Sequence, residues 1–215
     1  MKYPKINTIW KRDEKTGKII EGDFSKPEFA NIVQWLITEK IDGTNIRVIY
    51  ESGDNQNGSV TFGGRTDEAQ IPAHLIKELE TMFTPLLFES NLERNPEKMI
   101  LFGEGYGPKI QKGGGLYRDD AGFILFDVWE ETEGNGWWLT HESVEEIATS
   151  LNIPVVPVIS ICQFQDAINY VRRNPLSAVA KQEKVIEGVV ARSHPLVLFR
   201  DGTPVMWKIK VRDFQ

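Results

Sequence analysis

Residues 122–141, GFILFDVWEETEGNGWWLTH, confine the fold more than any other stretch of the chain. The first half is rich in aromatic and branched residues, as a strand is, and is too short for a membrane-crossing helix, which needs about 20 apolar residues. A turn-rich Glu-Gly-Asn-Gly segment follows, and then a second short apolar run. The whole therefore predicts an antiparallel hairpin. The pattern recurs along the chain. INTIW and GKIIEGDF flank KRDEKT, and NIRVIYES and NGSVTFGG flank GDNQNG. MILFGEGYG, PVVPVISI, KVIEGVVARS and TPVMWKIKVRD add further strands, the last after an Asp201–Gly202 turn. Helical spacing is confined to IPAHLIKELETMFTPLL, SVEEIATSL and FQDAINYVRRN, the third stopped at Pro175. Hairpins alternating with isolated helices predict an α+β fold, mainly antiparallel sheets flanked by helices. No repeat or linker interrupts the chain. A single domain over residues 1–215 is expected, with residues 1–30 as an N-terminal β-arm or hairpin.

Charge and cysteine usage narrow the chemistry. The net charge of −6 argues against a protein that adheres generally to nucleic acid. The basic residues are clustered, however, in WKRDEKTGK, GPKIQKGGGLYRDD and WKIKVR, so a local basic groove on an acidic body is allowed. One cysteine, Cys162, excludes an internal disulfide and a multi-cysteine zinc site. His74, His141 and His194 are scattered, which disfavours a histidine metal cluster. There is no signal-peptide pattern, and an intracellular, cytoplasmic protein is expected.

Five segments place charge where a purely structural sheet would avoid it. Lys40 stands in EKIDGTN, Arg65 in FGGRTDEA, Glu104 in LFGEGYG and Glu187 in VIEGVV; Lys208 and Lys210 share WKIK. Singly, each has a plain reading as a turn residue, a loop carboxylate or the solvated face of an edge strand. Lys208 and Lys210 alternate, so both point to one face. Trp137, Trp138 and Trp207 are expected to be packing residues rather than base platforms.

Taken in order, these segments resemble the motif series of covalent nucleotidyltransferases, and most closely the RNA ligase 2 family of phage-type, ATP-dependent RNA ligases. EKIDGTN is similar to the first motif, although the phage-type enzyme carries histidine at the position of Asp42. GRT around Arg65, FGEGYGPKIQKG, FILFDV, EGVV and WKIK continue the series. The resemblance implies a ligase-type adenylation domain. Members of the family usually carry a further C-terminal domain. An OB or other accessory domain is expected to be absent from this chain, which ends shortly after Lys210.

The resemblance also implies roles. Lys40 becomes AMP-linked with release of pyrophosphate. AMP then passes to a 5′-phosphate end, and a 3′-hydroxyl displaces it to form the phosphodiester. A lysine amine must first lose a proton, at a cost of about 4.6 kcal/mol at pH 7. Lys208 and Lys210 are expected to lower that cost and to neutralise the α-phosphate. Glu39 reads the adenine amino group through its backbone carbonyl, Phe126 stacks on the base and Glu104 takes the ribose. Arg65 and Asn45 hold phosphates or the RNA end, while Asp42 sets the turn. Glu187 orients a Mg²⁺ or Mn²⁺ ion or its water shell. The implied partners are ATP and RNA with 5′-phosphate and 3′-hydroxyl ends in a nicked duplex. A partner protein is expected to supply the grip of the accessory domain, with the basic arm of Lys11, Arg12, Lys15 and Lys18 contributing. A DNA-nick ligase, a GTP-using capping enzyme and a non-sealing module that binds nucleotides or nucleic-acid ends stay open as alternatives. RNA repair in a phage or microbe follows by analogy alone.

Overall fold

The computed structural model describes residues 1–53, 57–93 and 96–215. The turn expected in GDNQNG centres on residues 54–56 and lies outside the described residues. The chain forms two compact units, Met1–Tyr3 with Asp42–Val156 and Pro4–Ile41 with Pro157–Gln215. Among the described residues, no helix is long and apolar enough to cross a membrane.

The first unit is built on a five-stranded antiparallel sheet in the order β6-β5-β7-β8-β9. Its strands are β5 (Thr44–Glu51), β6 (Ser59–Gly63), β7 (Lys98–Tyr106), β8 (Gly122–Thr132) and β9 (Asn135–Trp138). The hairpin expected in residues 122–141 is β8–β9, with Trp129 opposite Trp138. Side chains alternate between the faces of a strand. Ile46, Val48 and Tyr50 of β5 meet Met99 and Leu101 of β7 in the core. Helices α1 (Ala73–Met82) and α3 (His141–Ser150) cover that face with Leu75, Leu79, Val144 and Ile147. Between Phe102 and Gly103 the β7–β8 register shifts, so that Phe126 has no register partner. This bulge keeps both Leu125 and Val128 in the core.

The expected helix over residues 71–87 is two helices, α1 and α2 (Pro85–Asn91). The cause is local. Proline disfavours helical backbone in the residue before it, and Thr84 turns extended to cap α2, its hydroxyl accepting the Leu87 N–H at 3.3 Å.

The second unit holds a five-stranded sheet in the order β1-β12-β11-β4-β10. Its strands are β1 (Asn7–Thr8), β4 (Trp35–Lys40), β10 (Val158–Cys162), β11 (Gly188–Ser193) and β12 (Met206–Lys210). All pairs are antiparallel except β1 with β12. A separate hairpin, β2 (Trp10–Arg12) with β3 (Ile19–Phe24), forms within the expected N-terminal arm. Helix α4 (Phe164–Arg172) packs Ala167, Ile168 and Val171 into a core centred on Trp35 and Trp207, whose rings meet edge-on at 5.6 Å. Trp207 and Trp138 are buried as expected, whereas Trp137 is 40% exposed. Truncating Trp207 removes one of the largest groups of this core, so Trp207→Ala is expected to lower stability by about 3–5 kcal/mol in denaturant unfolding.

Candidate functional site

The second unit gathers three charged groups around a glycine. In the central strand β11, Gly188 is directly opposite Lys40 of β4 on one side and Lys210 of β12 on the other. Cross-strand partners share a face, so both lysines flank a position that has no side chain. A Cβ at residue 188 would lie 2.1 Å from the Ile209 carbonyl oxygen, which makes glycine obligatory for this close strand approach. Glu187, one residue earlier, spans the gap. One carboxylate oxygen is 2.6 Å from Lys40 Nζ and the other 2.5 Å from Lys210 Nζ. Lys208 lies two residues before Lys210, opposite Val190, on the same face as Lys210 and away from buried Trp207 and Ile209.

Burial pushes the Glu187 carboxyl up, but the charge of Lys40 and hydrogen bonds from Lys210 and Lys40 outweigh it and hold the group below the usual carboxylate range. Lys40 therefore faces the opposite charge of Glu187 as well as the expected charge of Lys210. Lys210 is fixed from behind. Its backbone N–H donates to Asp213 at 2.9 Å, and Asp213 also accepts from Arg12 at 2.8 Å. The expected basic arm is thus partly committed internally: Arg12 is paired with Asp213 and Lys11 with Asp23 at 2.8 Å.

Glu39 precedes the nucleophile candidate and is 3% exposed. Its carboxylate accepts from the Ser177 hydroxyl and, at 2.9 Å, from the Ala178 N–H. Desolvation raises its pKa in spite of those bonds. The side chain is therefore engaged with the 177–178 loop, and an outside ligand would meet only its main chain.

In the first unit, Asn45 and Glu104 are directly opposite each other on β5 and β7, on the face turned away from α1 and α3. The side-chain amide oxygen of Asn45, Oδ1, is buried without a hydrogen-bond partner. Arg65 is exposed in the loop after β6. Phe126, at the bulge, is half-buried, with the Tyr3 ring edge-on at 5.0 Å. Asp42 sits in a turn held by two hydrogen bonds. Its N–H donates to the Tyr117 hydroxyl at 3.2 Å, and Gln111 donates to the Gly43 carbonyl at 3.1 Å. A Cβ at Gly43 would lie 2.2 Å from the Gly105 carbonyl oxygen. Tyr117, Asp213 and Arg47 were not singled out in the sequence. Only Arg47 left a signal there, since it alternates with Asn45 on β5.

Among the described residues, no three His, Cys, Asp or Glu side chains gather as a metal site. Both Glu187 oxygens are bound to lysine, so a cation placed directly on it would compete with two ammonium groups. This donor set fits a divalent ion carried by nucleotide phosphates, in keeping with the preference of Mg²⁺ for few carboxylates plus phosphate oxygens, rather than a resident metal.

Two outcomes follow from this geometry. Gly188→Ala forces β11 and β12 apart and is expected to cost about 1–3 kcal/mol or more in denaturant unfolding while displacing Lys210 from Glu187. Because the native carboxyl is held below its unfolded value, ionised Glu187 adds stability that is complete above the ordinary carboxylate range and is lost as pH falls through the native value. The stability difference between the protein and Glu187→Gln should therefore shrink in urea titrations taken progressively below pH 4.5, the ordinary value for glutamate.

The RNA ligase family model matches residues 33–209. No curated protein matches the chain. Among solved structures, an apo mutant of Naegleria gruberi RNA ligase is 19% identical with a TM-score of 0.62, over 97% of this chain and 61% of that one. A mutant of the same ligase with ATP and Mn is 18% identical with a TM-score of 0.61, over 98% and 62%. The ligase with PPi is 20% identical with a TM-score of 0.60, again over 98% and 62%. This chain thus spans about three fifths of the length of those proteins. At such identity the likeness establishes the mixed α+β, mostly antiparallel nucleotidyltransferase fold. The family match extends over most of the sequence, and the chain belongs to the RNA ligase family.

Proposed function

We propose that the protein is an ATP-dependent RNA ligase that works through a lysyl-AMP intermediate on Lys40. The observation that carries this reading is the single carboxylate, Glu187, holding Lys40 and Lys210 on either side of Gly188. It sets one lysine at a strand end, beside a second cation suited to an α-phosphate. The Naegleria structures with ATP or AMP and Mn support the choice of nucleotide and of a divalent ion.

The Lys40 amine attacks the α-phosphorus, the bond to pyrophosphate breaks, and an N–P bond forms. Glu187 orients Lys40 but is a poor acceptor for its proton, because the carboxyl is held below its usual range. The proton leaves to water, which reaches the 20% exposed Lys40 side chain. Lys210 and Lys208 balance charge on the α-phosphate. A Mg²⁺ or Mn²⁺ ion bound with the nucleotide adds charge neutralisation at the phosphates. Phosphoryl-type transfer depends mainly on positioning and electrostatics, which suits a site of lysines and carboxylates.

The remaining roles follow the family resemblance. Glu39 meets adenine through its main chain, and Phe126 stacks on the base for about 1–3 kcal/mol. Glu104 accepts from ribose hydroxyls, Arg65 and Asn45 hold phosphate or the RNA end, and Asp42 shapes the turn after the nucleophile. AMP then moves from Lys40 to a 5′-phosphate, and a 3′-hydroxyl displaces it, sealing a nick in duplex RNA. The exposed Lys15 and Lys18 of the N-terminal hairpin add grip on the backbone, and a partner protein adds more.

Incubation with divalent ion and α-³²P-labelled ATP or GTP, followed by a denaturing gel, tests this directly. A labelled protein band is expected with ATP, not with GTP, and is expected to vanish in Lys40→Ala. Labelling by GTP would assign a capping-type reaction. Folded protein that binds ATP but takes no label would leave a binding module.

A further inference from the structure

Arg47 is a cation inside the sheet, on the same face of β5 as Asn45, with a side chain only 5% exposed. A buried guanidinium is tolerated only when its donors are matched, and an apolar residue there would often serve stability as well. Here all three of its nitrogens are used. Nε donates to the Gly64 carbonyl at 2.8 Å, Nη2 to Asp67 at 2.8 Å, and Nη1 to the Met1 carbonyl at 2.9 Å. Lys2 adds a second cation to Asp67 at 3.1 Å. A Cβ at Gly63 would lie 2.7 Å from Arg47 Nη2, so the chain leaves room for the fork by having glycine there.

Two of those three anchors bracket Arg65. Gly64 precedes it and Asp67 follows two residues later. Arg65 itself is exposed and makes no hydrogen bond or ion pair among the described residues. The loop is thus fixed at both ends by one rigid, planar group while the cation between them stays available to a ligand. Lysine could not replace it, since a single ammonium cannot reach three acceptors that are held apart in the plane of the guanidinium.

We propose that Arg47 is a positioning residue whose fork clamps the Gly64–Asp67 loop and thereby aims Arg65 at a phosphate group of the nucleotide or the RNA end. The proposal rests on the phosphate role given to Arg65 above. The hydrogen bond from Arg47 also holds the Asp67 carboxyl below its usual range.

Two measurements on the full chain separate the clamp from its purpose. The first is the rate of tryptic cleavage after Arg65 in the native protein, which follows loop opening. Arg47→Met is expected to raise it roughly tenfold, the effect of losing charge-assisted hydrogen bonds, without raising cleavage after Lys15 in the exposed hairpin turn. Asp67→Ala, at an exposed position, should raise cleavage at Arg65 in the same direction and decides the matter if Arg47→Met does not fold. Unchanged cleavage in Asp67→Ala or in folded Arg47→Met overturns the clamp.

The second is a double-mutant cycle on labelling of Lys40 and on transfer of AMP to a 5′-phosphorylated RNA end, using Arg47→Met and Arg65→Ala. Arg47→Met should slow one of these steps in the presence of Arg65 and add nothing once Arg65 is alanine. Additive slowing overturns the proposal, because Arg47 would then act other than through Arg65. Arg65→Ala with wild-type rates in both steps overturns the phosphate reading of Arg65, a failure distinguishable from that of the clamp because the cleavage result is independent of it.

Discussion

Two ammonium groups share one carboxylate, and much of the second unit is organised to let them. Glu187 can reach both Lys40 and Lys210 only because Gly188 presents no side chain between them and because β4 and β12 both pair with β11. Taking charges out of water is costly, and a lone buried lysine would be a liability. With Glu187 between them, the pair is instead a prepared arrangement with one net positive charge. Removing the carboxylate would leave like charges facing each other. Removing the proton from Lys40, as the proposed chemistry requires, would free one Glu187 oxygen while Lys210 keeps the other.

Positioning outside this triad uses the same economy of parts. Asp213 binds the backbone of Lys210 and the side chain of Arg12, which ties the end of β12 to the N-terminal hairpin. The buried carboxylate of Glu39 fastens the loop at Ser177 and Ala178. Tyr117 and Gln111 hold the Asp42–Gly43 turn. In each case a side chain bonds to a backbone group and so joins a motif to a neighbouring segment. Polar satisfaction in the interior and precision at the site are then the same set of bonds.

This explains what the sequence could and could not reveal. The α+β, mostly antiparallel fold was legible because the strands are long, apolar and separated by turn residues. The alternation of Lys208 and Lys210 needed only the pleat of a strand. The break between α1 and α2 was visible in Thr84–Pro85 but was outweighed by continuous apolar spacing on both sides. The parallel pairing of β1 with β12 was not legible, since two residues carry no periodicity and their partner is about two hundred positions away. The partners of Glu39 and Asp42 were hidden by the same kind of separation. A motif shows which groups are present, whereas the groups that hold them come from loops whose meeting is a property of the fold. Phe126 shows the limit in the other direction: alternation alone would not foresee the bulge that removes its register partner.

The sheet of the first unit has one face given to the helices and another that carries Asn45, Arg47 and Glu104. Consecutive residues of β5 therefore answer to different demands. Changes at Ile46, Val48 and Tyr50 act on how much folded protein a cell holds, while changes at Asn45 act, in the proposed reading, on what each folded molecule does. Arg47, buried and triply bonded, answers to both demands. Abundance and specific activity should therefore vary separately at most positions of this strand and together at Arg47.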